Sequence, residues 1–140
     1  MKKIFIDADV LLDVLTGREP HHTHAASLMT LAETGRVWGY TSPLIFANLH
    51  YILQRSKSKA ESLNQLRKVR VLLRVLAITE KMVDLALSSE FEDFEDAIQY
   101  YTAVENQMDC LITRNKRDYK RSMLPVYSAE EYVKIHSVNR

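Results

Sequence analysis

The chain is poor in the residues that cross-link or break a polypeptide. It contains three glycines, three prolines and one cysteine among 140 residues. A single cysteine excludes an intramolecular disulfide, and the apolar run around Cys110 predicts a small buried side chain in a reducing compartment. The sequence also lacks a glycine-rich phosphate loop, a serine nucleophile elbow and a cysteine–histidine pair in a supporting context. Those forms of nucleotide binding and nucleophilic catalysis are therefore excluded.

Long apolar runs and linkers are absent as well. No run approaches the roughly 18 residues that a membrane-spanning helix needs. The chain enters a predicted strand directly after Lys2 and Lys3, without the pattern of a signal peptide. We therefore expect a cytoplasmic protein that does not cross a membrane. With 46% hydrophobic and 26% charged residues and no repeat or low-complexity stretch, residues 1–140 are predicted to form one domain.

The charges are segregated although the net charge is only +1. Residues 55–74 hold seven bases and one acid, residues 80–96 hold seven acids and one base, and residues 114–121 hold five bases and one acid. An acidic centre between basic segments suits an enzyme that acts on a polyanion. Solvated helix faces are the alternative for each segment taken alone.

Apolar periodicity predicts strands and helices in alternation. The predicted strands are residues 3–6, 37–41, 75–78, 109–113 and 126–128. The predicted helices are residues 8–15, 24–34, 58–73, 80–88 and 93–106, together with one that begins at Pro43 and one that follows Ser128 and ends at His136. Strands separated by helices predict an α/β domain of three layers (α/β/α) with a central, mainly parallel sheet of four to five strands.

Carboxylates follow the predicted strands or begin the helices next to them. Asp7 and Asp9 end the first strand, Asp96 lies near a helix start, and Asp118 follows the fourth strand. Because the carboxyl ends of parallel strands meet at one edge of a sheet, we expect these acids to converge. Carboxylates brought together repel each other, so a fold that gathers them usually holds a cation. Oxygen ligands suit Mg²⁺ or Mn²⁺, which we predict as the cofactor.

Three segments of the chain resemble the motifs of PIN-domain ribonucleases. Residues 4–13 read IFIDADVLLD, residues 93–99 read DFEDAIQ, and residues 111–119 read LITRNKRDY. The motifs occur in the order of the family and span nearly the whole chain. The resemblance implies a PIN-like fold and an endoribonuclease that depends on Mg²⁺ or Mn²⁺. At this size it most often implies the toxin of a type II toxin–antitoxin pair, with a cognate antitoxin and a homodimeric assembly.

The resemblance also assigns individual residues to the site. Asp7 and Asp96 match the first and third metal-binding acids of the family, and Asp93 is a further metal-binding acid one turn before Asp96. The fourth family position falls on Asn115 or on Asp118. Asn115 is closer to the end of the strand, whereas Asp118 is the only carboxylate in that loop, and both remain candidates.

The second family position departs from the pattern. The family has a glutamate on the helix after the second strand, and this chain has Asn48 there. An amide is a neutral oxygen donor, so Asn48 is predicted to orient a water molecule without adding charge. This departure keeps a second interpretation open, a catalytically weak or inactive PIN-like module that binds RNA or a protein. A structure-specific DNA nuclease is a third, although the chain is small for one.

Basic residues flank the predicted acidic pocket. Arg114, Lys116 and Arg117 lie within the third motif. We predict that they bind the phosphates of RNA, and the acidic tail of an antitoxin could use the same groups. Asp9 is predicted either to support the metal ligands or to cap the first helix.

Overall fold

Short apolar segments form a single five-stranded sheet in the part of the chain that the computed structural model describes, residues 1–138. The strands are β1 (Lys3–Ile6), β2 (Trp38–Thr41), β3 (Arg74–Val75), β4 (Cys110–Ile112) and β5 (Val126–Tyr127). They lie in the order β3-β2-β1-β4-β5, and each neighbouring pair is parallel. The side chains of β4 and of Ile4, Phe5 and Ile6 are buried, as expected for strands covered on both faces.

Helices cover both faces of this sheet. Within residues 1–138 there are seven α-helices: α1 (Ala8–Thr16), α2 (His21–Glu33), α3 (Pro43–Ser56), α4 (Lys59–Leu72), α5 (Glu80–Leu87), α6 (Phe94–Glu105) and α7 (Ala129–Val138). Helix α2 packs on α1 and α7, α3 packs on α4, and α5 packs on α6. The predicted three-layer α/β/α architecture is therefore confirmed, and within the described residues the sheet is wholly parallel.

The strand order places a crevice between β1 and β4. The chain moves from β1 outward through β2 to β3 and then returns to the other side of β1 with β4. Connections that leave two neighbouring strands in opposite directions open a crevice at their carboxyl ends, where α/β proteins bind ligands. The residues after β1 and after β4 therefore face each other across this crevice.

Several element boundaries differ from the prediction. Helix α2 begins at His21, three residues before the predicted start, because the turn led by Pro20 already lets the His22 amide donate to the Arg18 carbonyl. Strand β3 is only Arg74–Val75. Its ladder with β2 ends at the hydrogen bond from the Leu76 amide to the Thr41 carbonyl. No helix among residues 1–138 is long and apolar enough to cross a membrane.

Candidate active site

Asp7 lies at the carboxyl end of β1 and is held from several directions. Its side chain caps helix α1 by accepting a hydrogen bond from the Ala8 amide at 2.8 Å. Its own amide donates to the Ile112 carbonyl of β4 at 3.0 Å. Its second carboxylate oxygen, Oδ2, accepts from the Thr113 hydroxyl and from the Tyr119 hydroxyl, each at 3.1 Å. Pairing of β1 with β4 therefore brings three parts of the chain to one carboxylate.

Tyr119 connects Asp7 to Asp96. The Tyr119 hydroxyl lies 3.1 Å from Asp7 Oδ2 and 3.4 Å from Asp96 Oδ1. Tyr119 is 2% exposed, and its ring packs edge-on against Phe91 with 6.3 Å between the ring centroids. A phenol carries one hydrogen, so it can donate fully to only one of the carboxylates at a time. The structure thus brings Asp7 and Asp96 together around one shared donor.

The carboxylates of the site hold their protons unusually tightly. The pKa of Asp7 is raised to about 6, first by burial and then by the charge of Asp9. The pKa of Asp96 is raised to about 7, first by burial and then by the charges of Asp93, Asp7 and Asp118. Both shifts record a cost of placing negative charge here. A bound cation would remove this cost.

A cleft of about 500 Å³ opens beside Asp96. It is lined by acidic and basic side chains and one aromatic ring: Phe91, Glu92, Asp93, Asp96, Arg117, Asp118, Lys120 and Arg121. Asp93 is exposed and caps α6 by accepting from the Asp96 amide at 2.9 Å. Acids next to bases can hold a cation and a phosphate side by side.

Asp9 holds the loop that follows β4. Its Oδ2 accepts hydrogen bonds from the Arg114 amide (3.1 Å) and the Asn115 side-chain amide (3.3 Å). The same oxygen lies 3.2 Å from the Thr113 hydroxyl, whose one hydrogen it shares with Asp7. Its Oδ1 is buried and has no hydrogen-bond partner among the described residues. The side chain of Asn115 is thus engaged with Asp9, whereas Asp118 lines the cleft.

Asn48 faces the acidic motif of α6. Its side-chain amide donates to Glu95 Oε1. One turn along α6, the buried Gln99 accepts from the Ser42 hydroxyl at 2.7 Å. Helix α3 is therefore joined to α6 at two points, and the neutral Asn48 has a carboxylate beside it that comes from α6.

The three predicted RNA-binding residues differ in their surroundings. Arg114 Nε lies 3.0 Å from Oδ2 of the buried Asp13. Lys116 Nζ lies 2.9 Å from Glu131 Oε1. Arg117 lines the cleft together with Asp96. Arg117 thus shares the cleft with Asp96, whereas Arg114 and Lys116 are paired with carboxylates of α1 and α7.

Three residues of the site were not predicted. Tyr119 adjoins Asp118 in the third motif, Glu95 adjoins Asp96 in the second, and Asp13 ends the first. Asp13 had a detectable signal, since it interrupts an apolar run four residues after Asp9 and so shares a helix face with it. Tyr119 and Glu95 had only their places beside predicted acids, because a sequence does not show which way a side chain points.

The donor set is compatible with Mg²⁺ or Mn²⁺ held partly by water. Among residues 1–138, no group of three or more His, Cys, Asp or Glu side chains is arranged as a ready metal site. The structure offers instead the carboxylates of Asp7 and Asp96 on either side of one hydroxyl. Mg²⁺ commonly uses one or two carboxylates and keeps several waters. The raised pKa values of the pair, caused by burial and by neighbouring acids, mean that a positive charge placed here would be stabilised.

Comparison with known proteins agrees with this geometry. A PIN domain family model matches residues 3–117. Ribonuclease VapC1 of Aquifex aeolicus (strain VF5) is 23% identical over 136 residues, which cover 94% of this chain and 93% of that protein.

Solved structures show the same fold at low identity. The crystal structure of PAE2754 from Pyrobaculum aerophilum superposes with a TM-score of 0.70 at 16% identity, covering 98% of this chain and 96% of that one. A toxin–antitoxin complex from Klebsiella pneumoniae superposes with a TM-score of 0.66 at 19% identity, covering 90% of this chain and 97% of that one. The family match spans most of the sequence and includes Asp7 and Asp96, which confirms the resemblance seen in the motifs: this chain belongs to the PIN domain family.

Proposed function

We propose that this protein is a Mg²⁺- or Mn²⁺-dependent endoribonuclease and the toxin of a toxin–antitoxin pair. The observation that carries the proposal is the meeting of Asp7 and Asp96 at the Tyr119 hydroxyl, in the crevice of a PIN domain. A relative that covers nearly the whole chain is a ribonuclease by name, which supports RNA as the substrate.

Asp7 and Asp96 would hold the cation, with Asp118 and Asp93 contributing from the cleft. A bound divalent cation supplies Lewis acidity toward a water molecule and a phosphate oxygen. Asp118 is favoured over Asn115 for the fourth position because Asp118 lines the cleft whereas the Asn115 amide donates to Asp9. Asn115 then shapes the loop and affects the site indirectly.

The remaining polar residues orient water and RNA. Asn48 and Glu95 form a hydrogen-bonded pair that can position a water molecule near Asp96, the next residue along α6. Arg117 lines the same cleft as Asp96 and can contact a phosphate directly. Arg114 and Lys116 line a shallower groove that shares Arg117 with this cleft. Together these residues would align the RNA backbone with the acidic pair.

The direct test is cleavage of a labelled structured RNA with Mn²⁺, with Mg²⁺ and with EDTA. We expect cleavage only with metal, and a loss of roughly 100-fold or more in Asp7→Asn and Asp96→Asn, since even residues that merely support a metal ligand cost 10–100-fold. Asp84→Asn, an exposed carboxylate on α5, removes the same charge away from the site and should cleave like the wild type. Undiminished cleavage by both site variants would refute the proposal.

Asn48 supports a second candidate, a PIN-like module that binds RNA or a protein and cleaves weakly or not at all. A neutral amide at the second family position lowers the charge available to a cation. Such a module would bind RNA equally well in EDTA and in Mg²⁺. Purified wild-type protein that binds RNA but shows no cleavage with either metal would favour this candidate.

The proposed partners are RNA, a cognate antitoxin and a second copy of the chain. A toxin–antitoxin complex shares the fold, which supports an antitoxin partner. Tyr51 and Ile52 of α3 and Val71 of α4 are large exposed apolar side chains of the kind found at protein interfaces. We further propose a cytoplasmic location, where RNA substrates occur. Light scattering of the purified protein, alone and with the product of a neighbouring gene, would measure both assemblies.

A further inference from the structure

Asp13 is a buried charged residue that the proposed mechanism does not use. It lies on α1 and is 1% exposed. Its Oδ2 lies 3.0 Å from Arg114 Nε. Its Oδ1 lies 3.6 Å from an Arg18 nitrogen and has no hydrogen-bond partner among the described residues. A buried ion pair often stabilises a fold no better than apolar residues of similar size. The role of Asp13 therefore lies in the position that it gives to its partner Arg114.

Arg114 is held by its backbone and by its side chain. Its amide donates to Asp9 Oδ2 at 3.1 Å, and its Nε faces Asp13. Asp9 and Asp13 are four residues apart and therefore share one face of α1. Because Asp7 caps the same helix, Arg114 is fixed with respect to the acidic pair.

Part of the Arg114 guanidinium is open to a ligand. The side chain of Arg114 is 33% exposed, and within residues 1–138 Asp13 is the one acidic residue with which it forms an ion pair. Arg114 lines a shallow groove with Asn115, Lys116, Arg117 and Asp118. Arg117 and Asp118 also line the cleft beside Asp96, so the groove continues into the cleft. An arginine held by an ion pair can present its other donors as a planar fork that fits a phosphate.

We infer that Asp13 is a positioning residue that orients Arg114 to bind an RNA phosphate beside the acidic pair. The inference rests on the proposed function to the extent that RNA is the substrate. Asp13 itself would not touch RNA, and its effect would pass through Arg114. Removal of either residue should therefore remove the same phosphate contact.

Equilibrium RNA binding separates this role from a merely structural one. The probe is a short fluorescein-labelled single-stranded RNA, measured by anisotropy in EDTA over a range of NaCl concentrations, with every variant made in an Asp96→Asn background. We expect Asp13→Asn and Arg114→Gln each to weaken binding roughly tenfold, as for the loss of one charged hydrogen bond. Each should also reduce the slope of log K against log salt by about 0.7, as for one lost phosphate contact on a single strand. The double variant should bind no more weakly than Arg114→Gln.

Arg18→Gln is the matched control. Arg18 approaches the same carboxylate at 3.6 Å, and its side chain is 56% exposed. Its loss should leave both the affinity and the salt slope unchanged. An Asp13→Asn protein that is folded, by its circular dichroism and melting curve, yet binds RNA with wild-type affinity and slope would overturn the inference. Additive losses in the double variant would overturn it as well.

Arg114→Lys keeps the test decisive if Asp13→Asn does not fold. Lysine retains the charge but has no Nε that can face Asp13 while other donors face a phosphate. Weak binding like that of Arg114→Gln supports the inference, and wild-type binding overturns it. Failure of the proposed function gives a different result, because a wild-type protein that binds RNA without cutting it would refute the nuclease and leave the positioning role intact.

Discussion

The stability of the metal-free protein should fall as the pH rises from about 4 to about 7. The cause is the pair of carboxylates at the Tyr119 hydroxyl. The pKa of Asp7 is raised from 3.8 to about 6, and that of Asp96 from 3.8 to about 7. A raised pKa means that the folded state binds more protons than the unfolded chain in this window, so the stabilisation present below about pH 4 is lost as the pH approaches 7.

The size of the effect follows from these shifts. A shift of one pKa unit corresponds to about 1.4 kcal/mol, so the rise at Asp7 to about 6 corresponds to about 3 kcal/mol. Asp96 is only partly buried, and screening by solvent reduces its contribution to the fall in stability to about 1–2 kcal/mol. The lowered pKa values of Glu19, Glu130 and Glu131 oppose this fall only below about pH 4.5, at the lower end of this window. We therefore expect a fall of about 4–5 kcal/mol in the free energy of unfolding, as an order of magnitude.

Urea denaturation in EDTA, followed by circular dichroism at several pH values, measures this fall. Asp7→Asn and Asp96→Asn should each reduce the fall in the free energy of unfolding by the contribution of the residue removed. Asp84→Asn should leave this fall as in the wild type. Saturating Mg²⁺ should restore much of the lost stability at the higher pH, because a ligand that binds only the folded state stabilises it. A metal-free protein whose stability is constant or rises from about pH 4 to about pH 7 would refute the electrostatic reasoning.

Three substitutions test other parts of the structure. Tyr119→Phe removes the donor shared by the two carboxylates and keeps the ring, so we expect roughly 10-fold weaker Mn²⁺ binding by calorimetry; unchanged affinity would contradict the role of the hydroxyl. Asn48→Glu places a second carboxylate beside Glu95, so the variant should melt at a lower temperature than the wild type in EDTA. Mn²⁺ should raise its melting temperature by more than it raises that of the wild type, and equal rises would contradict this expectation. Gly39→Ala puts a Cβ 2.5 Å from Leu73 Cδ2 and should cost about 1–3 kcal/mol in urea denaturation; an unchanged midpoint would show that Leu73 moves aside freely.

Strands and acids could be predicted because their signals are local. The run from Ile4 to Ile6 is continuously apolar, which is typical of a strand covered on both faces, and Asp7 must then lie at its carboxyl end. Parallel pairing of such strands makes the meeting of Asp7 with residues after β4 an expectation of topology alone. Asp96 could be predicted from an equally local signal, because it lies near the start of a predicted helix.

Contacts that depend on side-chain direction could not be predicted. Tyr119 belongs to a 3₁₀ turn at Lys116–Tyr119, and a turn of this length carries no periodicity that a sequence could show. That turn decides that Asp118 lines the cleft while Asn115 remains with Asp9, so the sequence left both candidates for the fourth position open. The sequence shows Asp13 as a polar residue in an apolar run. It does not show that Asp13 pairs with Arg114, because Arg114 is far away in the chain.

The connection between Asp7 and Tyr119 bears on when the protein becomes active during its synthesis. The two residues are 112 positions apart, so the first acid of the site is made long before the hydroxyl that pairs with it. Strand β4, which pairs with β1 beside Asp7, is likewise translated long after β1. A nascent chain therefore cannot assemble the crevice before Tyr119 has been made. For a proposed ribonuclease, a nascent chain shorter than this has no complete site with which to cut RNA.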